Sequence, residues 1–142
     1  MNLQLVGNPL PLASYATHLG HEFHEDRTMK MDTRMKRSSY ISRSLEVRES
    51  FSFASPCQVL AAIKMYASDL YGGMLWKLDE LPAQQVMNCW FTTVKDVWGV
   101  TRATHTATAR WLACDNSSFQ EDLLARWAKY FQSTFQVPRQ KS

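Results

Sequence analysis

TMKMDTRMKRSSYISRSLEVRES, Thr28 to Ser50, is where the chain changes its hydrophobic period. Met31, Met35, Ser38, Ile41 or Ser42, and Leu45 recur three or four residues apart. That spacing predicts an amphipathic helix with this stripe turned to a core. Asp26 or Thr28 can cap its start. Arg27, Lys30, Arg34 and Arg37 follow 3-4-3 spacing and form a second stripe beside the first. With Lys36, Arg43 and Arg48 they make seven basic residues between Arg27 and Arg48, opposed there only by Asp32 and Glu46, so residues 27–48 carry +5 in a chain of net charge +3. Such asymmetry says more than the total. One face of the helix is expected to meet a core and one a polyanion, with solvent as the ordinary alternative.

Upstream, the period is two. NLQLV (2–6) alternates, Gly7-Asn8-Pro9 reads as a turn, and Tyr15 to Phe23 continues extended, so residues 2–24 are expected to form a small β-hairpin or meander. Alone it is marginal in water and must dock on something. YATHLGHEFHED (15–26) holds three histidines, yet H-E-x-x-H is missing because His21 and His24 are three apart. On a strand, His18 and His21 point to opposite faces. Only a helix would gather His18, His21 and Glu25, and Gly20 weakens that option. No metal and no cofactor are therefore expected.

The 142 residues suffice for one domain. Five tryptophans promise large buried side chains, and the scarcity of Gly and Pro, five of each, argues against an all-β sandwich. No apolar run is long enough to span a bilayer, and MNLQLVGNPLPL lacks the basic and apolar regions of a signal peptide. Cys57, Cys89 and Cys114 are odd in number and widely spaced, with no C-x-x-C. They are read as small buried hydrophobes, and the chain as intracellular, nuclear or cytoplasmic.

Downstream, Ser55-Pro56 announces a second helix. Its stripe runs Val59/Leu60, Ile63, Tyr66/Ala67, Leu70/Tyr71, Met74 and Leu78, interrupted by Gly72-Gly73. Two glycines cost about 1 kcal/mol each relative to alanine, so the helix bends there or another backbone comes close. Leu81-Pro82 opens a third helix, closed by Gly99 as a C′ residue. A fourth is expected from about Arg102 to Ala113, placing Arg102, His105 and Arg110 near its start, where free N–H groups suit a phosphate. Ser118 and Glu121 form a capping box for a fifth, which Pro138 stops. The expected fold class is mainly α: an N-terminal β-hairpin (1–26), a bundle of about five helices (27–136) and a disordered tail (137–142). Phosphate-binding glycine loops, a nucleophile elbow and paired aspartates for two magnesium ions are all missing, and no catalytic residue is assigned.

A linked series of short motifs carries a resemblance. In order they are Val6-Gly7-Asn8-Pro9-Leu10-Pro11, Tyr15-x-Thr17-His18-Leu19-Gly20-His21-Glu22, and Ala54-Ser55-Pro56-x-x-Val59. Then come Lys64-x-Tyr66-x-x-Asp69-Leu70-Tyr71-Gly72-x-Met74-Leu75-Trp76, Trp90-Phe91-Thr92-Thr93-Val94-Lys95 and Arg102-Ala103-Thr104-His105-Thr106. This run, over about residues 3–135, resembles the segment that follows the polymerase core in reverse transcriptases of non-LTR (LINE-type) retrotransposons. The resemblance implies that Leu19, Gly20 and His21 belong to a primer-grip-like hairpin at the palm's edge. It also implies that the helices form a thumb gripping template–primer duplex by its backbone. Arg27, Lys30, Arg34, Lys36, Arg37, Arg43, Arg102, His105 and Arg110 would then be the nucleic-acid contacts. The family's Y/F-A-D-D pair and its Cys/His knuckle are not in this sequence. The chain thus looks like a non-catalytic fragment of an RNA-directed DNA polymerase, whose full-length relatives supply palm and fingers as intramolecular partners. A helical protein–protein module with no nucleic-acid role is the rival reading, and a cryptic metalloenzyme using His18, His21 and Glu25 a third.

Overall fold

A computed structural model describes residues 4–5, 8–9, 15–18, 21–24, 30–70, 73 and 76–135, with side chains from Asp32 onward. Five helices carry the fold: α1 (Lys30–Ser50), α2 (Pro56–Tyr66), α3 (Leu81–Trp98), α4 (Thr106–Leu112) and α5 (Phe119–Phe135). The starts of α2, α3 and α5 have local causes. Ser55 caps α2 in a capping box with Gln58, and Pro56 opens the helix with φ already set. Pro82 does the same for α3, and Gly99, at φ 66°, ends it in the left-handed conformation that glycine tolerates. Ser118 and Glu121 reciprocally cap α5, at 3.2 and 3.3 Å.

The expected fold class is corrected at its N-terminal end. Between residues 30 and 135 the described chain holds no strand, and the core is wholly helical. The single hairpin expected over 1–26 is not what is found. Two separate two-stranded ladders occur instead: Gln4–Leu5 with Asn8–Pro9, and Tyr15–His18 with His21–His24. The chain turns back within 15–23 rather than running through as one strand, and His18 lies opposite His21. An alternating pattern fixes which residues share a face, not where the strand reverses.

A second correction concerns the face of α1. Met35, Ile41 and Leu45, placed in the core by spacing, are 43–50% exposed. The buried positions are Asp32, Thr33, Tyr40, Ser44 and Val47. Most of these are polar, and partners satisfy them. Trp76 Nε1 donates to Asp32 Oδ2 at 2.8 Å, Tyr40 Oη to Thr93 Oγ1 at 2.8 Å, and Ser44 Oγ to the Ile41 carbonyl at 2.8 Å. A periodicity count sees hydrophobicity, not hydrogen bonds to distant residues. In a third correction, α2 ends at Tyr66, before the glycine pair. Gly73 is pressed against the buried Leu123 of α5 so closely that a Cβ there would overlap the Leu123 side chain. The expected close approach is therefore made by a side chain, in a loop.

The core joins α2, α3 and α5 around Leu60, Ile63, Val86, Trp90, Val94, Phe119 and Leu123, each at most 1% exposed. At its edge stands one cation. Lys64 Nζ pairs with Asp122 Oδ2, donates to the Ser117 carbonyl at 2.9 Å, and lies 5.2 and 5.3 Å from the Trp90 and Phe119 ring centres. Ser117 Oγ donates to the other Asp122 oxygen at 2.5 Å. Phe119 also meets Tyr40 edge-on at 4.9 Å, which brings α1 into the same cluster. The Trp90 indole N–H finds no acceptor among the described residues.

The cysteine reading is corrected too. Cys57, in the first turn of α2, and Cys114, just after α4, form a disulfide with Cα atoms 5.5 Å apart; Cys89 alone is free and buried. Helix packing brings together two residues 57 apart in sequence, which spacing alone could not reveal. Cys114 and Asp115 both take positive φ, 55° and 62°, and the Asn116 side chain donates to the Ala113 carbonyl at 2.9 Å across that turn. No described helix is long and apolar enough to cross a membrane.

Three outcomes are expected. Lys64→Met leaves the Asp122 carboxylate without its cation, and because the pair is partly solvated the cost should be about 2–3 kcal/mol in urea unfolding, below the value for a fully buried pair. Reducing the disulfide reopens a long loop in the unfolded chain. A loss of roughly 2–4 kcal/mol is expected from the lowered urea midpoint in dithiothreitol. Burial pushes the Tyr40 phenol well above the ordinary tyrosine range, while the Thr93 hydrogen bond opposes the shift. The folded state thus holds this proton more tightly than the unfolded one. Its contribution is complete below about pH 10 and declines as pH rises past that value. Tyr40→Phe should flatten the alkaline decline in stability measured by urea titrations between about pH 9 and 11.

Candidate functional site

The α1–α3 seam opens into a groove of about 210 Å³. It begins as a packing consequence. Tyr40 and Val47 turn α1 into the core, so the adjacent face, Arg37, Ile41, Leu45 and Arg48, is left as one wall. Residues at this 3-4 spacing lie on one helix face. Arg34, one turn before Arg37 and exposed, continues the row toward the N-terminus. The opposite wall is α3, with Cys89 and Thr93 at the base and Thr92 and Asp96 one turn apart toward the rim.

Arg102 closes one end. The left-handed Gly99 reverses the chain after α3, and Lys95 Nζ donates to the Arg102 carbonyl at 3.0 Å, pinning the return loop. The Arg102 guanidinium then reaches Asp96 Oδ2 at 3.6 Å while remaining mostly exposed. Three guanidiniums and one carboxylate leave the groove net positive. Burial pushes the Cys89 thiol up, and the neighbouring Arg37 acts in the other direction.

The expected contact residues meet different fates. Arg34 and Arg37 lie on one side of α1 and are exposed, as is Arg43. Lys36 is not on that side. It is largely buried and paired with Asp69 at 3.1 Å, which anchors α1 to the loop after α2. The side chains of Arg27 and Lys30 lie outside the described residues, as do Leu19, Gly20 and the side chain of His21. Arg102, His105 and Arg110 do not share a helix start, because α4 begins at Thr106. His105 is its N-cap, with Nδ1 accepting from the Ala107 N–H at 3.3 Å. Arg110 lies 5.7 Å from the Phe91 ring centre, away from Arg102's place in the groove. His18 and His21 are paired backbone positions of their ladder, and no metal-binding cluster occurs among the described residues.

Of the groove's lining, only Arg37 and Arg102 were among the expected contacts; Arg48, Thr92 and Asp96 are the polar residues toward its rim that were not. Arg48 lies eleven residues, three turns, beyond Arg37, so extending the stripe would have found it. Asp96 reads in sequence as an isolated carboxylate on a helix face. A different surface, on α5, carries exposed Trp127, Tyr130, Phe131 and Phe135, with Trp127 and Phe131 rings 4.0 Å apart.

No family model, no curated protein and no solved structure matches this chain.

Proposed function

We propose that the chain is a non-catalytic, thumb-like helical piece that grips the backbone of a template–primer duplex, as its motif series suggests. The observation that supports this reading best is the arginine-lined groove. Arg37 and Arg48 of α1 line it together with Arg102 at one end, and Arg34 extends the row. Guanidiniums on a rigid helix suit phosphate oxygens, which they can hold through paired N–H donors. Phosphate neutralisation supplies sequence-independent affinity, which is what a duplex grip needs. In this reading the bond-making carboxylates belong to a palm that a full-length relative would supply, and the chain polymerises nothing by itself. Its setting is intracellular, nuclear or cytoplasmic. There the Cys57–Cys114 link is the feature that fits least easily, because the cytosol keeps most thiols reduced.

The exposed aromatic row of α5 favours a second reading, a protein–protein module. Binding of an RNA–DNA hybrid across a salt series separates the two. Combining Arg34→Gln, Arg37→Gln and Arg48→Gln should weaken hybrid binding and reduce the slope of log K against log salt by about 2–3, since each arginine–phosphate pair contributes roughly one. An unchanged slope, or no hybrid binding by the unaltered protein, would favour the module.

A further inference from the structure

We infer that Asp96, seconded by Thr92, reads the ribose 2′-hydroxyl of the strand that lies in the arginine groove, so that the site selects RNA over DNA. The inference rests on the duplex-grip reading and assigns specificity within it.

The groove is smaller than the ~300–1,000 Å³ of a typical small-molecule pocket, which disfavours an enclosed nucleotide. One sugar–phosphate unit of a backbone lying across it is the fitting scale. Arginines alone would serve any phosphate, and a carboxylate among them weakens phosphate binding. Asp96 nevertheless lines the groove, about a third exposed. Its distance to Arg102, 3.6 Å, is too long for a hydrogen bond, so the carboxylate keeps acceptor capacity for a ligand. Thr92 stands one helical turn away on the same wall, its hydroxyl donating to the Asn88 carbonyl at 3.3 Å and therefore presenting its lone pairs outward as a second acceptor. Carboxylates elsewhere recognise ribose by accepting a hydrogen bond from its 2′-hydroxyl, and that hydroxyl is the group by which a protein tells RNA from DNA. Cations for the phosphate beside an acceptor for the sugar make a matched pair for one ribonucleotide unit.

The test compares two duplexes of one sequence, each with a DNA strand. In one the partner strand is RNA; in the other it carries 2′-fluoro groups, which keep the A-like shape but cannot donate. The unaltered protein should bind the RNA form about three- to tenfold more tightly, the net worth of one ordinary hydrogen bond, since the carboxylate is partly exposed. Asp96→Ala should bring that ratio to about one. Arg102→Ala should weaken binding of both duplexes while preserving the ratio. Equal binding of both duplexes by the unaltered protein would overturn the inference, and this comparison needs no variant to fold. Asp96→Ala tightening both equally would also overturn it, by making Asp96 a mere counter-charge. Salt-dependent binding without discrimination refutes only the inference, whereas no salt-dependent binding to either duplex refutes the grip itself.

Discussion

A single ammonium group sets the geometry of this bundle. Lys64 projects from α2 to the edge of the core, where its charge is held by Asp122 of α5, the Ser117 carbonyl and the faces of Trp90 and Phe119. A lysine so far out of water is tolerable only when paired and hydrogen-bonded. Its partners come from α3, α5 and the turn before α5, so satisfying one cation determines how three elements meet. The disulfide between Cys57 and Cys114 ties the start of α2 to the turn after α4, and so supports the same junction from its other side.

From that junction the constraint passes to the surface. Phe119, held under Lys64, receives the edge of Tyr40, and the Tyr40 hydroxyl donates to Thr93. Thr93 in turn donates to the Cys89 carbonyl at 3.0 Å, closing a buried chain from core to seam. This chain sets the rotation of α1 about its own axis. Rotated so that Ile41 and Leu45 turned inward, α1 would carry Arg37 and Arg48, which share their face, out of the groove wall. The basic groove thus depends on a polar contact within the core, and the residues that line it are defined by what lies behind them.

Much of the helical framework was legible in the sequence because capping is local chemistry. Ser55-Pro56, Ser118 with Glu121, and Gly99 each act within one turn, and each lies where the spacing places it. The third helix was legible as well, since its core residues are apolar. The first was legible as a helix but not in its orientation, because Asp32 and Tyr40 are buried through partners, Trp76 and Thr93, that spacing cannot reveal. His105 was drawn into α4 although it caps it, and Lys36 into the basic row although Asp69 holds it elsewhere. The charge run itself was plain from Arg27 onward. Its meeting with Arg102, more than fifty residues beyond Arg48, arises only from the packing of α1 on α3.

The most direct measurement is to follow arginine side-chain N–H and backbone amide resonances while an RNA–DNA hybrid is added. If the groove holds a phosphate backbone, Arg37, Arg48 and Arg102 Nε–H signals and the Thr92 amide should shift together, along one binding curve that weakens with salt. Shifts confined to Trp127, Tyr130 and Phe131 on α5, or none at all, would contradict the account.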